Sequence, residues 1–101
     1  MAESSKITES SKIVFIGRKP AMSYVLAVIT SLSSPEAKEI TLKARGQAIT
    51  TAVDVAEITR SRFLRDLKVN KIAIGTEQMP PREGENGARM VSTMEITLVR
   101  E

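Results

Sequence analysis

The chain contains neither cysteine nor histidine. Disulfides, thiol chemistry, zinc sites of the usual ligand types and imidazole acid–base catalysis are therefore excluded together, and most enzyme mechanisms go with them. Tryptophan is missing too, and aromatic residues make up only 3% of the 101 positions, namely Phe15, Tyr24 and Phe63. Phe15 belongs to an apolar run expected in the core, which leaves no platform for stacking splayed bases and argues against a single-strand reader. The longest apolar runs cover only a few residues, against the ~20 needed to cross a bilayer, and the N-terminus lacks a signal-peptide apolar region. A cytosolic protein with no membrane partner is expected.

What is present is ordinary for a folded chain: 42% hydrophobic and 27% charged residues, enough for one domain with one core. Residues 1–11 are rich in Ser, Glu and Lys and read as a flexible tail, followed by a folded domain over 12–101. Fifteen Lys and Arg face twelve Asp and Glu, a net charge of +3. Setting aside Glu3, Lys6 and Glu9 of the tail leaves +4 on the remainder. So modest an excess says little about partners until the positions of the charges are known.

The periodicities give an order of elements. Ile13, Val14, Phe15 and Ile16, closed by Gly17, suit a strand buried on both faces. Pro20 stands where a first helical residue tolerates proline, and Met22, Val25, Leu26, Ile29 and Leu32 follow at helical spacing until Ser33, Ser34 and Pro35. In Glu39–Arg45, Ile40, Leu42 and Ala44 alternate with polar residues, as in a strand wet on one face. Gly46 breaks it. From about Gln47 to Leu64 a second helix puts Ile49, Ala52, Val53, Ala56 and Phe63 in one narrow arc. Val55 and Ile58 fall outside that arc, either as a second contact surface toward a partner subunit or as scattered exposed residues.

Ile72 and Ile74 mark a third strand over Lys71–Gln78, and Met94, Ile96 and Leu98 a fourth over Met90–Val99. Between them lies a polar stretch with Pro80, Pro81, Gly84 and the Asn86, Gly87 pair, a strong hairpin signal that predicts a long arm with a mobile tip. The fold class is α+β: a β-α-β-α-β-β two-layer sandwich with two helices on one face of a four-stranded mixed sheet and an extended hairpin arm.

Crossover connections make the first three strands parallel, so their C-terminal ends share one edge of the sheet. Arg18 and Lys19 follow the first strand, Lys43 and Arg45 close the second, and the loop with Arg82 and Arg89 follows the third. Both helices begin at the same edge, with unpaired N–H groups and positive dipole ends that favour phosphate oxygens. Any one of these cations is by default a solvated surface charge. Their convergence is what points to a polyanion, and a two-fold dimer would double the site and carry +6. A hairpin arm bearing Arg could also enter a minor groove with little sequence preference.

Ile16, Gly17, Arg18, Lys19 and Pro20, then Lys43, Ala44, Arg45 and Gly46 with Ala48, Ile49, Ala52, Val53 and Asp54, resemble the Alba family of archaeal chromatin proteins. Ser61, Arg62, Phe63 and the closing Val91, Ser92, Thr93, Glu95 and Ile96 fit the same pattern, in register over roughly residues 12–100. The resemblance implies a homodimer, associated with the chromosome, that coats and compacts double-stranded DNA without strong sequence preference and also binds RNA. It implies that Arg18 and Lys19 sit on the backbone at the dimer centre, that Lys43 and Arg45 add contacts, and that the arm, here roughly Thr76 to Met90, reaches the groove. It implies that Phe63 joins dimers side by side; the periodicity instead puts Phe63 at the end of the core stripe. Two departures matter. Arg18 stands where the family commonly has Lys, so acetylation, and any acetylase or deacetylase partner, falls to Lys19. Gln47 stands where a basic residue often follows the glycine, which removes one phosphate contact per subunit.

Two other readings compete. Backbone contacts do not inherently distinguish duplex types, so the chain could serve as an RNA-binding ribonucleoprotein subunit or RNA chaperone. Asp54 and Glu57 lie one helical turn apart and could in principle hold a metal, but no third ligand or nucleophile is placed beside them. No cofactor and no catalysis are expected.

Overall fold

A computed structural model describes residues 11–101. The expected 1–11 tail lies outside the described residues apart from Ser11, which opens the first strand. The strands are β1 (Ser11–Phe15), β2 (Glu39–Arg45), β3 (Leu67–Met79) and β4 (Arg89–Arg100). The helices are α1 (Ala21–Ser31) between β1 and β2 and α2 (Ala48–Ile58) after β2, the latter running on into a π-helical turn at Thr59–Phe63. One mixed sheet has the order β1-β2-β4-β3, with β1 and β2 parallel and β4 antiparallel to both its neighbours. Strands β1, β2 and β3 therefore share a direction, and their C-terminal ends meet at one edge, as the crossover rule requires. The α+β expectation holds, with the third and fourth strands longer than the alternation implied.

Ile40, Leu42 and Ala44 of β2 are buried as expected, in register with Leu98, Ile96 and Met94 of β4. This helix-facing surface closes on Tyr24, Val25, Val28 and Leu32 of α1 and on Ala52, Val55 and Ala56 of α2. Arg100 ties the end of α1 to the sheet: its guanidinium Nη1 donates to the Leu32 carbonyl at 2.7 Å. That hydrogen bond satisfies one of the carbonyls a helix end leaves orphaned.

Several expectations about burial are corrected. β1 is an edge strand with one face open, so Ile13 is half exposed and Phe15, expected in the core, is 72% exposed. In α1 the buried stripe is rotated from the one expected: Tyr24 and Val28 turn inward, while Met22 and Leu26 face solvent. Pro20 is the N-cap rather than the first helical residue. In α2, Val55 is fully buried and Val53 exposed, so Val55 belongs to the core and not to a second contact surface.

A π-helical turn following α2 accounts for the position of Phe63. Its closing hydrogen bond runs from Leu64 N to the Thr59 carbonyl at 2.8 Å, an i+5 step. The extra residue per turn carries Phe63 off the core stripe, and it is half exposed. Ile72 and Ile74 alternate as expected but lie on the part of β3 that the helices do not cover, and both are exposed. In the arm, the hydrogen-bonded turn is Arg82–Glu85, with Glu85 N donating to the Arg82 carbonyl at 2.9 Å, rather than one on Asn86 and Gly87. Gly84 supplies its third position at a φ of +84°.

Candidate functional site

The shared C-terminal edge of β1, β2 and β3 opens into a cleft of about 1040 Å³. Arg18 and Lys19 line it from the β1–α1 loop, Arg45 from the end of β2, and Arg82 and Arg89 from the two sides of the arm. These are five of the six cations singled out from the sequence. No Asp or Glu lies among the described residues lining the cleft. In such a space the cations reinforce one another and nothing in the wall repels an anion.

The sixth cation stands apart. Lys43 points from the open face of β2 into a neighbouring groove, where its ammonium lies 3.6 Å from the Glu95 carboxylate. Arg45 lies on the boundary and lines both spaces, with Nη1 donating to Glu77 Oε1 at 2.9 Å across β4. Both pairs are exposed, so each contributes little to stability and its cation can change partner at small cost.

The loop bearing Arg18 and Lys19 is held by a residue that the helical periodicity did not single out. Tyr24 is buried in α1, and its hydroxyl oxygen accepts the backbone N–H of Gly17 at 2.9 Å and of Lys19 at 3.0 Å. A Cβ on Gly17 would meet that hydroxyl at 3.2 Å, so the glycine permits the close approach. The opposite wall turns at Gly46. Its φ of +60° lies in the left-handed region, and its N–H donates to the Ser92 carbonyl at 2.8 Å. That fixes the start of α2 against β4.

Neither helix has a side-chain cap on its first N–H groups or an acid in its first turn. Gln47 is the residue at the N-cap of α2, and Ala48 and Thr51 of its first turn line the cleft. The positive end of the α2 dipole thus adds to the five cations. The Nε–H of Arg89 is buried and has no hydrogen-bond acceptor among the described residues; the same is true of Arg60, which does not line the cleft. The arrangement suits a polyanionic backbone.

Phe63 lies on the π-helical turn, away from the cleft-lining residues, with Arg60 and Arg62 beside it in sequence. Asp54 and Glu57 are both exposed on α2, and Glu57 is engaged by Arg60 at 3.1 Å. Among the described residues no three acidic side chains gather in a group that could hold a metal, and no helix is long and apolar enough to cross a membrane.

Comparison with known proteins agrees with the pattern read from the residues. The family model described as Alba matches residues 12–76. The DNA/RNA-binding protein Alba of Picrophilus torridus is 46% identical over 88 residues, covering 87% of this chain and 94% of that protein. The DNA/RNA-binding protein Alba 1 of Archaeoglobus fulgidus is 52% identical with the same coverage of each. The solved structure of Alba from Thermoplasma volcanium superposes with a TM-score of 0.80 at 48% identity, over 87% of this chain and 99% of that one. With more than half of its length matched by the family model and with relatives of this identity, the chain belongs to the Alba family.

Proposed function

We propose that the chain binds double-stranded DNA without strong sequence preference and compacts it as a chromosome-associated chromatin protein, and that it binds RNA as well. Alba family proteins are architectural nucleic-acid binders, not enzymes, and relatives of this chain carry the name DNA/RNA-binding protein. The observation that carries the reading is the cleft in which Arg18, Lys19, Arg45, Arg82 and Arg89 gather without an acid in its wall. Cations in that array contact phosphates and carry no base code, so every sequence is bound alike. The arm from Thr76 to Met90 extends the contact into the groove through Arg82 and Arg89. Lys43 acts at the flank, once released from Glu95. Gln47 forgoes one contact per subunit.

The binding unit in this reading is a homodimer. Val69, Ile72 and Ile74 of β3 leave an exposed apolar surface on the helix-facing side of the sheet, the kind of patch that marks a subunit interface. Phe63, half exposed at the end of the second helix, joins one dimer to the next along the nucleic acid. Lys19, exposed in the loop, is the acetylation target, and neutralising it removes one phosphate contact.

A role as an RNA-binding ribonucleoprotein subunit or RNA chaperone is the second reading. Competition between DNA and RNA duplexes of matched random sequence, followed by gel shift, tests the two. Preferential retention of DNA supports the chromatin role, preferential retention of RNA supports the other, and binding of neither contradicts both. Sedimentation of the free chain is expected to give a dimer.

A further inference from the structure

The open face of the sheet carries a second site. Phe15 projects from the edge of β1 with 72% of its surface exposed, and it stands in register with Lys43 of β2, which stands in register with Glu95 of β4. This row forms one side of a groove of about 410 Å³ that Arg45, Glu77 and Thr93 complete. An aromatic ring so far out of the core forfeits burial that would stabilise the fold, so a partner for its face is the natural expectation.

The charges of this groove differ from those of the cleft. Lys43 is matched by Glu95 at 3.6 Å and Arg45 by Glu77 at 2.9 Å, so its charges cancel in pairs. Carboxylates repel phosphate but accept hydrogen bonds from exocyclic amino groups, while the paired cations donate to ring nitrogens and carbonyls. One exposed ring flanked by donors and acceptors fits the flat face and polar edge of a nucleobase. The groove is also continuous with the cleft, since Ile16 and Arg45 line both and Phe15 precedes Arg18 by three residues.

We propose that Phe15 stacks on an unpaired nucleobase, so that a single strand whose phosphates lie in the cleft crosses onto the open face of the sheet. The site takes bases that are free of a duplex, in single-stranded RNA or DNA or in a loop. It rests on the reading of the cleft as a phosphate site and adds to it a preference that backbone contacts alone cannot supply.

The chain has no Trp of its own, so Phe15→Trp provides a single fluorescent reporter at the site. Its emission is expected to be quenched by a short single-stranded RNA and left unchanged by a blunt duplex of the same sequence. Phe15→Ala, at an exposed position that should fold normally, is expected to weaken single-strand binding about tenfold and to leave duplex binding unaltered. Absence of quenching, equal losses on both ligands, or a dimer that dissociates when Phe15 is truncated would each overturn the proposal. Failure of the cleft reading is separately visible: Arg18→Ala with Lys19→Ala would then leave duplex affinity intact, whatever the quenching shows.

Discussion

The Tyr24 hydroxyl accepts the backbone N–H of Lys19 at 3.0 Å, so a buried helix residue fixes the conformation of an exposed cationic loop. The same oxygen accepts Gly17 N–H at 2.9 Å. The loop's shape therefore does not have to be fixed when an anion arrives, which lowers the entropy lost on binding. Tyr24→Phe deprives two N–H groups of their acceptor. It is expected to cost about 1–2 kcal/mol in thermal denaturation and to weaken duplex binding alike for all sequences. Unchanged stability and affinity would show that the loop holds its shape without the hydroxyl.

Gly46 and Gly84 both have positive φ, at +60° and +84°, but in different settings. Gly46 is bonded between β4 and the start of α2, with Val91 Cγ1 3.5 Å from where its Cβ would lie, whereas nothing lies within 4 Å of Gly84. Gly46→Ala is expected to lower stability by about 1–2 kcal/mol in denaturant unfolding, and Gly84→Ala by less because the arm loop can relax. Equal losses would contradict the role given to Gly46.

Thr59 is completely buried, and its hydroxyl has no hydrogen-bond partner among the described residues. Thr59→Val keeps the shape and removes the unsatisfied group, so it is expected to raise stability by about 1 kcal/mol, read as a higher Tm. A lower Tm would mean that the hydroxyl is satisfied in solution.

Glu77 holds Arg45 at the boundary of the cleft. Glu77→Gln frees that guanidinium and removes a negative charge near the phosphate path. Duplex affinity is expected to rise a few-fold at low salt, with stability changed by less than about 0.5 kcal/mol. In an Arg45→Ala background the same substitution should lose most of its effect, which separates the ion pair from general charge repulsion.

Much of the fold and of the cleft is legible in the sequence where one physical constraint dominates. Ile40, Leu42 and Ala44 alternate because β2 is a central strand with one covered face, and period two reports that directly. The convergence of Arg18, Arg45 and the arm follows from the direction of crossover connections, which needs no side-chain detail. What escapes depends on neighbours distant in the chain. Phe15 reads as core because an apolar run does not reveal that its strand is an edge with one face uncovered. Lys43 reads as a companion of Arg45 because adjacent segments look alike, although its ammonium faces Glu95 in the neighbouring groove. Phe63 falls on the arc of the second helix because the wheel assumes an unbroken α-helical step, whereas the π-helical turn adds a residue. Val55 lies outside that arc, and the spacing of apolar residues alone does not show that packing turns Ala52, Val55 and Ala56 inward and Val53 outward. Tyr24 offers only its hydroxyl as a hint, a polar group that a buried aromatic must satisfy somewhere.

The central claim is that the acid-free cleft neutralises phosphates, and the salt dependence of duplex binding measures this most directly. The logarithm of affinity for random-sequence duplex should fall linearly with the logarithm of salt concentration. In the Arg18→Ala, Lys19→Ala variant the slope should be shallower by roughly 0.9 for each phosphate that is no longer neutralised. An affinity indifferent to salt, or a slope that the double substitution leaves unchanged, would contradict it.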